Sequence, residues 1–539
     1  MKNLYLFLIF SSIFFSCSKK IEVDTIVINA IIYTANDSLQ KAEAFAIKNG
    51  KIIDIGTSVE MQLKYSPTYI NDVKGKTIVP GFIDAHCHFL GLGLQLQKVD
   101  LQGTKSFDEV VKRIVDFQKE KNVAFITGRG WDQNDWEIKE FPSKEKLDEL
   151  FPNTPIAVTR IDGHALLANQ AAIDLAGVTV KTPFSGGDII QENGKLTGVF
   201  IDMPMELIEA KIPKPSKKEQ IQALKDAERI CFDLGLTTVD DAGLSKDVIE
   251  LIDSLQQAGE LKIRMYAMVS VSDENIDYFT KKGILKTDLL NVRSFKVYAD
   301  GALGSRGAAM KKEYSDKHNH YGALITPLAD LERYAKKIVA SNYQMNTHAI
   351  GDSANYVMLK TYKEVLKGKK DKRWRIEHAQ IVDENDFHYF ENIIPSVQPT
   401  HATSDMYWAK DRVGSKRING AYAYKELLKT YGKISLGTDF PIEQVSPILT
   451  FYAAVSRKDL NNFPENGFQI KNALTREETL KGMTIWAAYA NFEEQEKGSI
   501  EIGKFADFII LDKNIMEVEE AKIPKIRIEE TYINGVKVK

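Results

Sequence analysis

The chain reads Ile78-Val79-Pro80-Gly81-Phe82-Ile83-Asp84-Ala85-His86-Cys87-His88 where a short apolar strand runs into two histidines one residue apart. Because side chains on a strand alternate between its faces, His86 and His88 point the same way at the C-terminal end of that strand. Two converging imidazoles can form half of a metal site. A His-X-His pair also occurs by chance in loops, so the interpretation depends on whether later strands end in further ligands.

Length and composition set the class of protein. With 539 residues, of which 44% are hydrophobic, the chain can bury a large core and is expected to hold more than one domain. The 71 lysines and arginines against 74 aspartates and glutamates leave a net charge of -3, so nothing points to a nucleic acid partner. The three cysteines are too few for a disulfide framework.

The N-terminus has the pattern of a targeting signal. Met1-Lys2-Asn3 is a short basic segment, and residues 4–15 are an apolar run too short for a membrane span. The following Phe15-Ser16-Cys17-Ser18 resembles a bacterial lipobox, which implies cleavage before Cys17 and a lipid on its thiol. We expect a signal peptide at 1–16, a tether at 17–24 and an extracytoplasmic protein held to a bacterial membrane only by that lipid. The alternative is an ordinary signal peptide with a chance cysteine.

Both ends of the mature chain read as short strands separated by turns. Near the N-terminus, β-branched runs such as residues 25–28 precede Asn49-Gly50, which is a hairpin signal. Near the C-terminus, residues 530–538 have the same character. We expect residues 25–76 and 498–539 to form one small β-sandwich around a central domain.

The middle of the chain alternates helical and strand patterns, which favours a parallel α/β arrangement. Ser216-Lys217-Lys218-Glu219 is a capping box that opens a helix with apolar residues at period 3.6. Strands are predicted at 79–88, 237–239, 263–269, 292–298, 343–348, 375–378, 395–399 and 434–439. These are the eight strands of a (β/α)8 TIM barrel, expected over residues 77–497. Residues 90–213 do not fit the count and are predicted to be an insertion after strand 1, over the active site.

Four of the later strands carry polar side chains near their C-terminal ends. His348, His378 and Asp439 end three of them, and Lys296 lies inside a fourth. In a TIM barrel the C-terminal ends of the strands face the active site. A lone histidine is usually a surface or core residue, and a lone strand lysine usually extends its amine to water. Together with the first histidine pair, these residues instead predict a metal centre.

On these residues the mature chain resembles the amidohydrolase superfamily, and within it the N-substituted formamide deformylase-like enzymes of amidohydrolase family 3 type. The resemblance implies the barrel with a terminal sandwich, and a metal-dependent hydrolase that acts on a small molecule. Besides the opening stretch, the motifs that carry it are Arg160-Ile161-Asp162-Gly163-His164, Asp300-Gly301-Ala302-Leu303-Gly304-Ser305-Arg306, Asn346-Thr347-His348-Ala349-Ile350-Gly351-Asp352, Arg375-Ile376-Glu377-His378 and Gly437-Thr438-Asp439.

The resemblance also implies a role for each candidate ligand. The first histidine pair would hold one divalent ion, and His348 and His378 a second. Lys296 matches the family lysine that CO₂ carboxylates, since an unmodified ammonium has no lone pair with which to bridge two cations. Asp439 would contact one metal and act as general base towards water, whose pKa a bound ion lowers from about 15.7 to near 7. Zinc is the first choice for the one or two ions, with iron or manganese as alternatives.

Other residues are candidates for contact with the substrate. His164 is predicted to be catalytic by facing the substrate carbonyl; the alternative is a turn within the insertion. Arg306 would grip a substrate carboxylate unless it pairs within its own loop, and Trp131 would close over a ligand unless it packs in a core. The remaining pocket candidates are Asp300, Gln398 and His401, the last without an assigned role.

The sequence thus predicts a hydrolase that cleaves a non-peptide C–N bond of an amide, N-acyl or N-formyl compound. Within the same scaffold, an isomerase or a hydrolase of esters or phosphoesters is the main alternative, since activated water attacks those groups equally well. A catalytically inactive, lipid-anchored binding protein is the alternative from another class. The substrate would be a small amide-type molecule, and the oligomeric state is left open.

Overall fold

The computed structural model describes residues 20–161, 163–184 and 187–539. The predicted signal peptide at 1–16, the lipidation site Cys17 and Asp162 lie outside the described residues. Within the described ranges, no helix combines the length and the apolar character that a bilayer-spanning segment needs.

Eight parallel strands form a nearly closed barrel, which confirms the predicted TIM-type barrel. Each strand pairs with the next one along the chain. At the point of closure, the amide of Asp439 donates to the carbonyl of His86 over 2.8 Å, and the amide of His88 donates to Phe440 over 2.8 Å. In order, the strands are Phe82–Cys87, Leu236–Leu244, Arg264–Ser270, Leu290–Tyr298, Gln344–Ala349, Arg375–His378, Ile394–Val397 and Ser435–Leu436.

The helix Lys217–Asp233 begins at the predicted capping box. Ser216 Oγ accepts from the amide of Glu219 over 3.3 Å, and Glu219 Oε2 accepts from the amide of Ser216 over 2.7 Å. Leu224 and Ala227 lie on its buried face. The other helices of the barrel region are Phe89–Gln95, Lys246–Gln257, Asp273–Lys282, Leu328–Val339, Asp352–Val365, Pro399–Asp405, Ala409–Arg417, Tyr424–Tyr431, Pro447–Ser456, Arg476–Gly482 and Ile485–Ala490.

A six-stranded sheet lies in the chain between the first and second barrel strands. It has its own buried clusters, one of which includes Trp131, Val158 and Leu167. In spatial order its strands are Gly187–Glu192, Lys195–Asp202, Ala165–Ala168, Ile156–Arg160, Ile126–Trp131 and Val99–Asp100. The helices of this segment are Phe107–Lys121, Glu145–Leu150, Gln170–Ala176 and Met205–Glu209.

Two sheets from the chain ends share one hydrophobic core. Val27 and Phe45 of the first sheet lie in the same buried cluster as Ile78 and Phe508 of the second. The first sheet has the strand order Lys51–Gly56, Ala44–Lys48, Ile21–Ile28, Tyr65–Asp72, with the helix Ser58–Lys64 beside it. The second has the order Val536–Lys537, Ile528–Ile533, Phe508–Leu511, Thr77–Pro80, Ile31–Tyr33, Lys41–Ala42.

The opening stretch is two strands rather than the one expected. Thr77–Pro80 pairs with Phe508–Leu511 in a sheet of the chain ends, and Phe82–Cys87 alone joins the barrel. Gly81 lies between them, where a Cβ would stand 2.3 Å from Thr237. Because only a glycine fits here, the chain can pass between two sheets just before the strand that carries the histidine pair.

Candidate metal centre

The first histidine pair and Asp439 come together at the C-terminal end of the barrel. Asp439 follows the last strand with a left-handed φ of 63°, a conformation that aspartate tolerates better than most residues. Its Oδ1 lies 3.7 Å from His86 Nε2 and 3.3 Å from His88 Nε2. One carboxylate oxygen therefore faces two imidazole nitrogens, as residues that share a cation would.

The second histidine pair adjoins the first. The ring centroids of His348 and His378 are 4.4 Å apart, and that of His378 is 4.8 Å from that of His86. His348 Nε2, His378 Nδ1 and Asp439 Oδ1 are buried without a hydrogen-bond partner among the described residues. Native proteins rarely bury polar atoms unpaired unless an ion or water completes them. The donor set of imidazoles and a carboxylate therefore fits a divalent cation.

Burial keeps these imidazoles neutral. Burial, reinforced by the charge of Lys296, lowers the pKa of His86 to about 4 and the pKa of His348 to about 3. Burial likewise holds the pKa of His378 well below its ordinary value. A neutral imidazole offers a lone pair to a metal, so the site is chemically prepared for one.

Lys296 lies inside the cluster, as predicted. Its side chain is 1% exposed, and Nζ lies 3.1 Å from His86 Nε2. Burial lowers the pKa of Lys296 to about 8, although the carboxylates of Glu377 and Asp439 oppose the shift. A lysine whose pKa is lowered in this way loses its proton more easily than an ordinary lysine and is therefore more often available as a nucleophile.

Glu377 supports the centre from one side, a role that the sequence analysis did not assign. Its Oε2 lies 2.5 Å from His86 Nδ1, and Arg375 Nε donates to its Oε1 over 2.7 Å. Burial raises the pKa of Glu377, but the charge of Arg375, the charge and hydrogen bond of His86 and the charge of Lys296 together outweigh it and bring the value to about 2. A carboxylate on the far nitrogen of a metal-binding histidine fixes the orientation and tautomer of the ring. The only sequence signal was its place one residue before His378.

His401 contacts the centre from the opposite side. Its Nε2 lies 3.2 Å from Asp439 Oδ2, and its Nδ1 lies 3.2 Å from Glu443 Oε1. Burial lowers the pKa of His401, but the two carboxylates more than compensate and raise it to about 10. Burial raises the pKa of Asp439, yet the neighbouring imidazoles, His401 first, hold it well below its ordinary value.

Asp300 and Arg306 are engaged within the loops. Asp300 is fully buried, and its carboxylate accepts three backbone N–H groups from the surrounding loops over 2.8 to 2.9 Å. It therefore fastens these loops, and its Oδ1 also lies 3.7 Å from His348 Nε2. A contact between Asp300 and the substrate stays a prediction. Arg306 donates to both oxygens of Asp316, over 3.0 and 2.9 Å. Arg306 therefore pairs within its own loop, which was the alternative to its binding a substrate carboxylate.

The other two substrate candidates differ from each other. Trp131 is fully buried, and its Nε1 donates to the carbonyl of Val158 over 2.9 Å. This places its ring in the core of the inserted sheet and corrects the expectation that it closes over a ligand. Gln398 follows the seventh barrel strand, is 2% exposed and buries both amide atoms without a hydrogen-bond partner among the described residues. It remains a candidate for the barrel mouth.

His164 is exposed on the inserted sheet. Its Nδ1 lies 2.7 Å from Asp202 Oδ1. A carboxylate on one ring nitrogen orients an imidazole for proton transfer at the other. The catalytic role of His164 stays a prediction.

Comparisons with known proteins agree with this geometry. A sequence model of the amidohydrolase family matches residues 70–538. The chain is 32% identical over 536 residues to Protein LONG AFTER FAR-RED 3 of Arabidopsis thaliana, which covers 96% of this chain and 91% of that protein. It is 24% identical over 543 residues to the N-substituted formamide deformylase of Arthrobacter pascens, covering 95% of this chain and 98% of that enzyme.

The fold has a relative of known structure. The crystal structure of an uncharacterized metal-dependent hydrolase from Pyrococcus horikoshii OT3 superposes with a TM-score of 0.78 at 29% identity, covering 92% of this chain and 99% of that one. The chain therefore belongs to the amidohydrolase family, and the protein is a hydrolase of that superfamily.

Proposed function

We propose that the protein hydrolyses a non-peptide C–N bond in a small amide, N-acyl or N-formyl compound. The observation that carries the proposal is the cluster of buried, unpartnered ligand atoms on His348, His378 and Asp439 at the end of the barrel. The deformylase from Arthrobacter pascens, similar over nearly its whole length, supports a C–N bond as the target.

The residues of the centre would form two sites, each of which binds one metal ion. His86, His88 and Asp439 would hold one ion, and the second histidine pair another. Zinc suits this set of imidazoles and carboxylates best, and iron or manganese would also bind it. When bound, a divalent ion supplies a Lewis acid that polarises the scissile carbonyl and makes water acidic enough to attack at neutral pH.

Asp439 would move the proton in this reaction. Its position beside the first histidine pair suits a base that takes a proton from the attacking water. As the C–N bond breaks, the same carboxyl group would return that proton to the leaving nitrogen. The hydrogen bond from His401 keeps the carboxylate in its ionised form.

Lys296 would bind the metals as a carbamate. The neutral amine attacks the carbon of CO₂, forms an N–C bond and loses one proton, which yields an anionic oxygen ligand. Support comes from the burial of the amine, its lowered pKa and its 3.1 Å approach to His86 Nε2. Without this change, a lysine cation would repel the ions that the histidines bind.

The inserted segment 90–213 would close the mouth of the barrel over a bound substrate. Large apolar side chains are exposed on the inserted segment and on loops that follow the barrel strands. Ile442 and Tyr407, in loops after barrel strands, are 71% and 60% exposed, and Met203, beside Asp202 of the inserted sheet, is 54% exposed. Their burial on closure would exclude water and bring His164 to the substrate carbonyl.

The protein would work outside the cytoplasm, tethered through a lipid on Cys17. Residues 25–76 and 498–539 would form its small β-sandwich domain. The proposed lipid anchor rests on the basic, apolar and cysteine-containing order of the first residues. Substituting Cys17→Ser should release the protein from the membrane fraction. Retention of that variant in the membrane fraction would contradict the lipid anchor.

A substrate screen tests the reaction class. Zinc-loaded protein is assayed against formamides, N-acyl amino acids, carboxylic esters and phosphotriesters, with His86→Asn as the metal-site control. We expect turnover of the C–N substrates, lost in the control. Turnover of esters or phosphotriesters alone would favour the other hydrolases of this scaffold, and metal-free, inactive protein would favour a binding protein.

A further inference from the structure

The two oxygens of Asp439 face different groups. Oδ1 is turned to the first histidine pair, 3.7 Å from His86 Nε2 and 3.3 Å from His88 Nε2, and has no hydrogen-bond partner among the described residues. Oδ2 lies 3.2 Å from His401 Nε2. The carboxylate thus offers one oxygen to the metal centre while an imidazole holds the other.

A second carboxylate stands behind His401. Glu443 Oε1 lies 3.2 Å from His401 Nδ1, and Ser404 Oγ donates to the same oxygen over 2.5 Å. An ionised carboxylate only accepts hydrogen bonds, so an imidazole between two carboxylates donates from both nitrogens. The side chains of His401 and Glu443 are 12% and 20% exposed, so water competes weakly for these bonds.

These contacts explain how the side chain of Asp439 is held in place. Asp439 has a left-handed backbone and follows a strand of two residues, Ser435–Leu436. The hydrogen bond from its amide to the carbonyl of His86 fixes its backbone but not its side chain. Its side chain therefore depends on groups from other elements. His401 supplies one from the helix Pro399–Asp405, and Glu443 lies four residues beyond Asp439 in the same loop.

We propose that His401 and Glu443 are positioning residues that fix the side chain of Asp439, so that Oδ1 stays turned towards the first histidine pair. The inference rests on the proposed metal centre. In this proposal His401 acts through Asp439 and not as a ligand of the ion. Glu443 acts one step further away by holding His401, and Ser404 holds Glu443.

His401 could instead bind a metal itself, because ligand atoms of His378, His401 and Asp439 lie within 4.8 Å of one another. The hydrogen-bonding pattern favours positioning. Both nitrogens of His401 already face carboxylates, and a ligand role would take Nε2 away from the oxygen that it now holds. The number of ions bound distinguishes the two roles.

Zinc binding to the purified protein tests the proposal. Affinity is measured by competition with a chromogenic chelator, and the number of ions per chain by plasma mass spectrometry. His401→Leu removes both donors, His401→Gln keeps one, and Glu443→Gln keeps a neutral acceptor. His388→Gln changes an exposed histidine and is the matched control, and circular dichroism checks the fold of each variant.

We expect His401→Leu to raise the Kd for zinc by about 10- to 100-fold, the usual cost of losing a group that orients a ligand. His401→Gln and Glu443→Gln should show smaller increases, with wild-type stoichiometry throughout and no change in His388→Gln. Should His401→Leu fail to fold, the same comparison rests on Glu443→Gln.

Two results would overturn the inference. Unchanged zinc affinity in folded variants of His401 and Glu443 would remove their positioning role. Loss of one ion per chain in the His401 variants would make this residue a ligand. If the wild-type protein binds no zinc, iron or manganese at all, the proposed metal centre itself is wrong, which is a separate failure.

Discussion

Glu377 and His86 form a fully buried carboxylate–imidazole pair, with Oε2 of one 2.5 Å from Nδ1 of the other. The pair joins the first barrel strand to the sixth. It leaves His86 Nε2 turned towards Lys296 and Asp439, at 3.1 and 3.7 Å. The orientation of the first predicted ligand is therefore set by a residue almost three hundred positions further along the chain.

Substituting Glu377→Gln should weaken metal binding by about 10- to 100-fold, because the neutral amide no longer selects the tautomer of His86. The measurement is zinc affinity by chelator competition. Glu384→Gln, an exposed change seven residues away, should leave the affinity unchanged. Equal affinities in the two variants would show that Glu377 does not orient the ligand.

Substituting Lys296→Ala should remove the bridge between the ions, and with it one zinc per chain and most of the activity. A short carboxylate such as formate should restore part of both, since it supplies the oxygen atoms that the carbamate would contribute. Zinc content and turnover are measured with and without the carboxylate. Lys410→Ala, on the surface, is the control. Full zinc content and rate in Lys296→Ala would rule out the carbamate.

Substituting His164→Ala should lower kcat by about 10²- to 10⁴-fold, the range for loss of a general acid or base. The zinc content should stay at the wild-type value, because His164 lies on the inserted sheet. His318→Ala is a matched control, since that histidine is also exposed and its Nδ1 is 3.4 Å from Glu313 Oε1. A wild-type rate in His164→Ala would contradict the catalytic role and favour the alternative that His164 is part of a turn within the insertion.

Substituting Asp507→Ala should reduce the free energy of unfolding by about 3–5 kcal/mol, because it leaves a buried guanidinium without its carboxylate partner. Arg264 is fully buried, and its Nε and Nη2 donate to Asp507 over 2.5 and 3.0 Å. Urea unfolding measures the change. The exposed ion pair between Lys225 and Glu260, whose Nζ and Oε2 are 2.7 Å apart, offers a control in Glu260→Ala, which is expected to cost about 1 kcal/mol or less. Similar losses of unfolding free energy in the two variants would show that the buried pair of Arg264 and Asp507 stabilises the fold no more than an exposed pair does.

The clustering of the candidate ligands could be predicted because local sequence indicates where each strand ends, whereas their roles as ligands came from the resemblance and stay predictions. His348 and His378 lie at the C-terminal ends of the strands Gln344–Ala349 and Arg375–His378, Asp439 follows the last strand, and parallel strands of a barrel bring such ends together. The capping box at Ser216 was predictable for the same reason, since its partners lie three residues apart. The fold class followed from the count of eight strands.

The supporting contacts could not be predicted because they join distant parts of the chain. The role of Glu377 depends on His86 across the barrel, and the role of His401 depends on Asp439. Trp131 and Arg306 are the reverse case, in which a predicted contact with the substrate is replaced by a contact within the protein. Each side chain could have bound a substrate. Instead, Trp131 donates to the buried carbonyl of Val158, and Arg306 donates to Asp316.

The most direct test of the central claim is a crystal structure of the zinc-loaded protein with anomalous data on both sides of the zinc edge. The predicted result is anomalous density among His86, His88 and Asp439, with density for a carbamate on Lys296. Zinc bound elsewhere on the protein, with these side chains left uncoordinated, would contradict the account.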